Sequence, residues 1–223
     1  MEKEKLKHYK SKKLGEFYYN PNEFGVGHNT LYYIGKETDG SKIKIPEGIK
    51  SCNFMFAHCK NLEVAPAIPA GVINCDWMFT NCTNLQNAPV IPEGVESCIY
   101  MFSNCKSLKT APKIPVGVIE CSLMFLGCTS LRNAPAIPEG VKFCDGMFEN
   151  CENLQTAPVI PNGVKNCNNM FAGCKNLQNA PVIPEGVENI TNMFSGCINL
   201  KEVPKYPESV SMFMKEKGRS RLQ

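Results

Sequence analysis

The chain has 223 residues, 43% hydrophobic and 20% charged, which is enough for one well-buried core. A net charge of only +3 implies no strong electrostatic partner, so no nucleic acid is expected as a ligand. No stretch approaches the roughly 18 consecutive apolar residues that would read as a membrane span.

Residues 1–44 form a lead. Its first part is basic, with Lys3, Lys5, Lys7, Lys10, Lys12 and Lys13 close together, and reads as a solvated end. No apolar run follows the charges, so the lead does not read as a secretory signal. On that reading the chain is cytoplasmic as written, or secreted or displayed at the surface if a signal segment has been removed. Aromatic residues then cluster: Phe17, Tyr18, Tyr19, Phe24, Tyr32 and Tyr33. Leu31–Gly35 and Ser41–Ile45 flank Asp39-Gly40, which reads as a hairpin that caps the N-terminal end of the fold.

From Ile45 to Lys205 the sequence repeats. Seven units of 23 residues begin at Ile45, Ile68, Ile91, Ile114, Ile137, Ile160 and Ile183. One pattern covers them: I-P-x-G-[VI]-x-x-[CI]-x-x-M-F-x-x-C-x-x-L-x-x-[AV]-P-x. Apolar residues recur at unit positions 1, 5, 8, 11, 12, 15, 18 and 21, a mean step near three that fits neither a long helix nor an alternating strand. The prolines at unit positions 2 and 22 also forbid a long helix. A coil that turns a corner every few residues fits, with one row of side chains inward and coils stacked about 4.8 Å apart where strands pair. Ile-Pro-x-Gly reads as a tight turn with Pro second and Gly fourth. Val164–Cys167 can then be a short strand, Met-Phe one helical or 3₁₀ turn, and Leu-x-x-Ala-Pro-x-Ile a second strand. Position 14 holds only His, Asn or Gly, residues suited to a left-handed backbone. From Tyr206 an eighth unit begins. Met212-Phe213 arrives four residues early and the tail turns basic, so residues 206–223 read as a broken capping unit.

The period and the pairing of Met-Phe-x-x-Cys-x-x-Leu with Ile-Pro-x-Gly-Val resemble the BspA-like leucine-rich repeats of bacteria. Here Met-Phe replaces the Ala-Phe of many members. The resemblance implies a right-handed leucine-rich-repeat solenoid of short β-strands, turns and single helical turns. It also implies a role in adhesion or host contact.

Twelve of the thirteen cysteines form six C-x6-C pairs, and Cys197 stands alone because its partner slot holds Ile190. A hydrocarbon in that slot points to a small buried apolar role, hence reduced thiols rather than disulfides. The spacing is not that of structural zinc, and no metal or cofactor is expected. His8, His28 and His58 lie apart, Gly25-Val-Gly27 makes no phosphate loop, and no hydrolase or nucleotide motif occurs. Glu47, Glu93, Glu139 and Glu185 recur in the turn but do not converge, as acid–base chemistry requires. The chain therefore reads as a non-enzymatic scaffold.

In a solenoid, function lies where the units differ. Position 10 reads Phe54, Trp77, Tyr100, Leu123, Gly146, Asn169, Asn192. If it faces outward, units one to four carry an aromatic ladder, with Ile73, Ile99, Ile119 and Leu126 near enough in sequence to extend it. Two arrangements are open: a surface for a protein partner or a second copy, or a row covered by the aromatic lead. Exposed rings would also suit a carbohydrate.

Overall fold

The structure, a computed structural model, describes residues 7–11, 15–20, 30–33, 35–202, 206 and 210; of 7–11, 15–20 and Thr30 it describes the backbone alone. Consecutive units stack as coils, so that each residue lies against its counterpart 23 residues on. Two columns of parallel bridges mark this register. One runs through position 7, from Ser51 through Asn74, Ser97, Glu120, Phe143 and Asn166 to Asn189. The other runs through position 20 and links Val64, Asn87 and Thr110, then Asn133, Thr156 and Asn179. The strands expected at these places shrink to single-residue bridges. Proline explains the limit: the residues at unit positions 2 and 22 have no N–H, and among the described residues no backbone bond leaves the amides of positions 23 and 1.

The expected helical turn at Met-Phe is also absent. Positions 8 to 15 form linked β-turns instead. In unit two, Met78 N–H donates to Cys75 O, Thr80 N–H to Trp77 O, and Cys82 N–H to Phe79 O. The Ile-Pro-x-Gly turn is shifted by one residue. In units three to seven Pro carries the accepting carbonyl, as where Val95 N–H donates to Pro92 O at 3.1 Å.

The eight apolar positions of the repeat point inward. The Phe column at position 12 stacks from Phe56 to Phe194 with centroids 5.5–5.7 Å apart and planes within 14° of parallel. Each fully buried Phe contributes about 1.5–3 kcal/mol by leaving water.

The lead extends this array. Strands β1 (Lys7–Ser11), β2 (Gly15–Asn20) and β3 (Thr30–Tyr33) form an antiparallel sheet in that order. The hairpin expected over residues 31–45 does not form: β3 pairs with β2, and Asp39 caps a 3₁₀ turn at Gly40–Lys42 by accepting from Ser41 N. Tyr33 lies 23 residues before Phe56 and packs against it at 5.2 Å with its ring tilted by 40°, while its N–H donates to Met55 O as Phe56 N–H does to Met78 O. Thus β3 is a degenerate coil placed before unit one. At the other end Tyr206 and Val210 pack on the core, and Met212-Phe213 falls outside the described residues.

The two thiol columns differ. The described cysteines are all free. At position 15 each thiol of units two to seven donates to the position-12 carbonyl of the coil before: Cys82 to Phe56 O, Cys128 to Phe102 O and Cys197 to Phe171 O, within a 3.0–3.2 Å range for the column. At position 8 the bonding is longer and uneven: Cys121 and Cys144 donate to the position-7 carbonyls of the next coil at 3.5 Å, and Ile190 fills the same slot with no donor at all. Burial pushes the Cys82, Cys105, Cys128 and Cys151 thiols well above the ordinary value of 9.0. It raises Cys59 and Cys197, at the two ends of their column, only to about 11.

Timed labelling read by mass spectrometry is expected to show slow modification of the native protein, Cys59 and Cys197 first, and reaction at all thirteen cysteines after denaturation. Rapid native labelling of Cys128 would contradict the buried column. Because the Cys82, Cys105, Cys128 and Cys151 thiols stay protonated in the fold while unfolded ones ionise near 9, the stability they support is complete below pH 9 and falls as pH rises beyond it. The loss is about 1.4 kcal/mol per thiol and pH unit until the folded pKa is reached. Urea melts at pH 8 and 10 test the sign. In the same assay Cys128→Val is expected to cost about 1 kcal/mol more than Cys98→Val, the worth of one hydrogen bond.

Candidate functional site

Position 10 is fixed by two backbone bonds. It is the third residue of the turn that closes from position 8 to position 11, and its own N–H donates to the position-9 carbonyl of the next coil. Trp77 donates to Ile99 O at 2.8 Å and Leu123 to Asp145 O at 2.7 Å. This geometry demands a left-handed backbone. Phe54, Trp77, Tyr100, Leu123, Gly146, Asn169 and Asn192 all have φ between 52 and 57°. Gly and Asn adopt this region readily, whereas bulky residues there are true outliers at about 1–2 kcal/mol each. Units five to seven thus carry what the backbone prefers, and units one to four carry side chains against that preference.

These four side chains form one row and are each half-buried. Phe54 stacks on Trp77 with centroids 5.0 Å apart and planes 9° from parallel, and Trp77 on Tyr100 at 5.2 Å and 15°. Ring faces therefore turn toward neighbouring rungs, and ring edges turn outward. Leu123 ends the row by lying over the next coil: a Cβ at Gly146 would come within 2.6 Å of Leu123 Cδ2. The change to Gly leaves no hole, because Leu123 fills it.

The remaining candidates divide. Ile99, at position 9 beside Tyr100, is half-buried and flanks the row. Ile73 and Ile119 are 44% and 47% exposed but occupy position 6, four residues before the ladder, with Glu96 between them in the stack. Leu126 is half-buried at position 13. The sequence reading missed Phe143, which is 44% exposed at position 7, where the other units carry only Ser, Asn or Glu. That lone departure from a polar column was its signal. Of the aromatic lead, Tyr33 packs on Phe56 in the core column. The Phe17, Tyr18 and Tyr19 side chains and Phe24 lie outside the described residues.

Polar side chains beside the row serve its backbone. The position-9 amide meets side-chain oxygens of columns 7 and 9: Asp76 N–H donates to Asn74 Oδ1 at 2.8 Å and Ile99 N–H to Asp76 Oδ1 at 2.8 Å. Ser97 Oγ also donates to Asp76 Oδ1, at 2.6 Å, so one oxygen of that buried carboxylate accepts two bonds. Asp145, in the same column, has its pKa raised by desolvation against the opposing effect of nearby hydrogen bonds.

The recurrent turn carboxylates do not meet one another, and Glu93 pairs instead with Lys113 at 3.3 Å. His58 is an exposed left-handed residue, φ 64°, as its column demands. The His8 side chain and His28 lie outside the described residues. Among the described residues no group of three His, Cys, Asp or Glu side chains could hold a metal ion. No helix there is long and apolar enough to cross a membrane.

The same coil geometry occurs in solved proteins. A leucine-rich repeat protein from Bacteroides ovatus is 25% identical, with a TM-score of 0.64 over 86% of this chain and 52% of that one. A leucine-rich repeat protein of T. pallidum is 24% identical, with a TM-score of 0.66 over 91% of this chain and 94% of that one. A leucine-rich cell surface protein from Faecalibacterium prausnitzii is 20% identical, with a TM-score of 0.51 over 75% and 60%. The chain thus spans about half the length of the Bacteroides protein. No curated protein matches the sequence. The BspA-type leucine-rich repeat region matches in six copies over residues 28–132 and 100–216. The fold is that of leucine-rich repeat proteins, and the chain belongs to the BspA-type leucine-rich repeat family.

Proposed function

We propose that the chain is a protein-binding scaffold and that the ladder of Phe54, Trp77, Tyr100 and Leu123, flanked by Ile99, is its contact surface. One observation carries this reading: four consecutive units hold bulky side chains in a backbone conformation that the last three fill with Gly or Asn. Strain of this kind persists where the side chain is needed. The rungs are not required by the core, since units five to seven close without them. Family membership supports a protein-interaction or surface role. Adhesion or contact with a host protein is the finer form of the reading, to which Ile73 and Ile119 would contribute only at the margin.

The ring geometry also separates protein from glycan. A sugar stacks on an open ring face, and the faces here are turned toward neighbouring rungs. Outward edges suit close packing against apolar side chains and the carbonyl groups of a polypeptide, because the rim of an aromatic ring is its positive part.

The test is a double variant, Trp77→Asn with Tyr100→Asn, which installs what units six and seven already carry. Relieved backbone strain of about 1–2 kcal/mol per residue offsets the lost stacking of about 0.5–1.5 kcal/mol per pair. The fold is therefore expected to survive, as circular dichroism would show. In a panel of immobilised extracellular matrix and host-surface proteins, any that binds the parent is expected to lose at least tenfold in affinity for the variant. Binders that hold both proteins equally would remove the ladder as the site. In the parent, Trp77 emission should shift blue on binding.

A further inference from the structure

Position 23 lies thirteen residues past the ladder column, half a coil away, and is apolar in every unit but those of Lys113 and Lys205. Position 23 holds Ala136, Val159 and Val182 in three successive units, all exposed, the valines at 84% and 87%. Among the described residues their amides make no backbone bond, and the flanking prolines are buried at Pro158, Pro161 and Pro184 and half-buried at Pro135, Pro138 and Pro181, so this side of the coil is a shelf of exposed aliphatic side chains on a proline floor. A groove of about 310 Å³ is cut into the shelf, lined by Pro135, Ala136, Glu139, Pro158, Val159 and Pro161 among others. No packing need of the fold explains valine at these points, since Lys113 occupies the same slot.

We propose that the ladder of one copy docks on the valine–proline shelf of a second copy. This rests on the reading of the ladder as a protein-contact surface and names one partner for it. Three observations favour this occupant. First, both rows advance by one coil per residue, so a second copy is a partner whose surface repeats at the pitch of the rungs, three rings (Phe54, Trp77, Tyr100) against three aliphatic side chains. Second, the charges beside the rows share a spacing of two coils. Exposed Lys60 and Lys106 stand six residues past the ladder column, after Phe54 and Tyr100, while exposed Glu139 and Glu185 stand three residues past the shelf column, after Ala136 and Val182. Third, ladder and shelf lie half a coil apart on the same rigid stack, so one molecule cannot join them to each other. The contact is heterologous, with different patches meeting, and it propagates unless the rotation between copies closes a ring.

Light scattering across concentration, with two variants, tests this. The ladder variant is Trp77→Asn with Tyr100→Asn; the shelf variant is Val159→Asp with Val182→Asp, at exposed positions that leave the core intact. The parent's mass is expected to rise with concentration, while each variant alone stays a monomer. Their equimolar mixture should form a dimer and stop there, because the intact ladder of one meets the intact shelf of the other and only damaged surfaces remain. A parent that stays monomeric at millimolar concentration overturns the proposal. So does a mixture that fails to dimerise, which would mark a symmetric contact instead. Should the ladder variant not fold, a parent whose Trp77 emission stays constant while its mass rises overturns the proposal equally. A ladder variant that loses its foreign binder beside a strictly monomeric parent removes only the self-contact. A mixture that dimerises while foreign binding is unchanged removes only the wider binding role.

Discussion

The structure depends on one repeated interaction: alternate amides of each coil, at positions 8, 10, 12 and 14, reach forward to the carbonyls at positions 7, 9, 11 and 13 of the next. His58 to Thr80, Phe56 to Met78 and Phe54 to Asp76 are three such bonds in one coil. Alternation is the geometry of a sheet, yet the chain must also turn a corner within these few residues. It does both by placing positions 10 and 14 in the left-handed region, where the backbone bends while still presenting its N–H along the stack. The remaining features depend on this. Side chains at 8, 11, 12 and 15 point into the core, position 10 emerges at the corner, and identical residues fall one above another. The position-15 thiol closes the scheme by reaching back to the carbonyl of position 12 in the coil before.

Polar residues in such an array are mostly structural, which sharpens what remains. Asn74, Asp76, Glu120 and Asn166 accept bonds from position-9 amides that have no carbonyl to meet. Their carboxylates and amides are therefore occupied with the backbone. Apolar side chains that the core does not use cannot be assigned in that way; beside scattered ones such as Val116, Phe143 and Ile198, they form two rows, at positions 10 and 23.

Much of this is legible in the sequence. The eight inward positions, the period and the buried thiols follow from spacing and from Ile190 in a cysteine slot. Position 14 reads as left-handed from its Gly and Asn. The same signal stands at position 10, in Gly146, Asn169 and Asn192, but the rings of the first units hide it, because aromatic residues are the last expected at positive φ. The strands are shorter than expected because proline removes the donors that would lengthen them. Asp39-Gly40 looks like a hairpin turn, and only the 23-residue offset from Tyr33 to Phe56 shows that β3 continues the stack. The exposure of Phe143 and the orientation of the rings depend on packing between coils, which no single unit encodes.

Leu123 gives the row of rings a definite end, and this makes the solenoid a ruler. A loop-built surface changes size by insertion, and the frame must adjust each time. Here every coil offers the same corner, so length is set by one residue per unit. Removing a rung asks for Asn or Gly, which the corner accepts without strain. Adding one past Leu123 requires that side chain to withdraw from above Gly146. The contour can thus be shortened freely but lengthened only by two coordinated changes, so the span of the surface can drift downward more easily than it can grow.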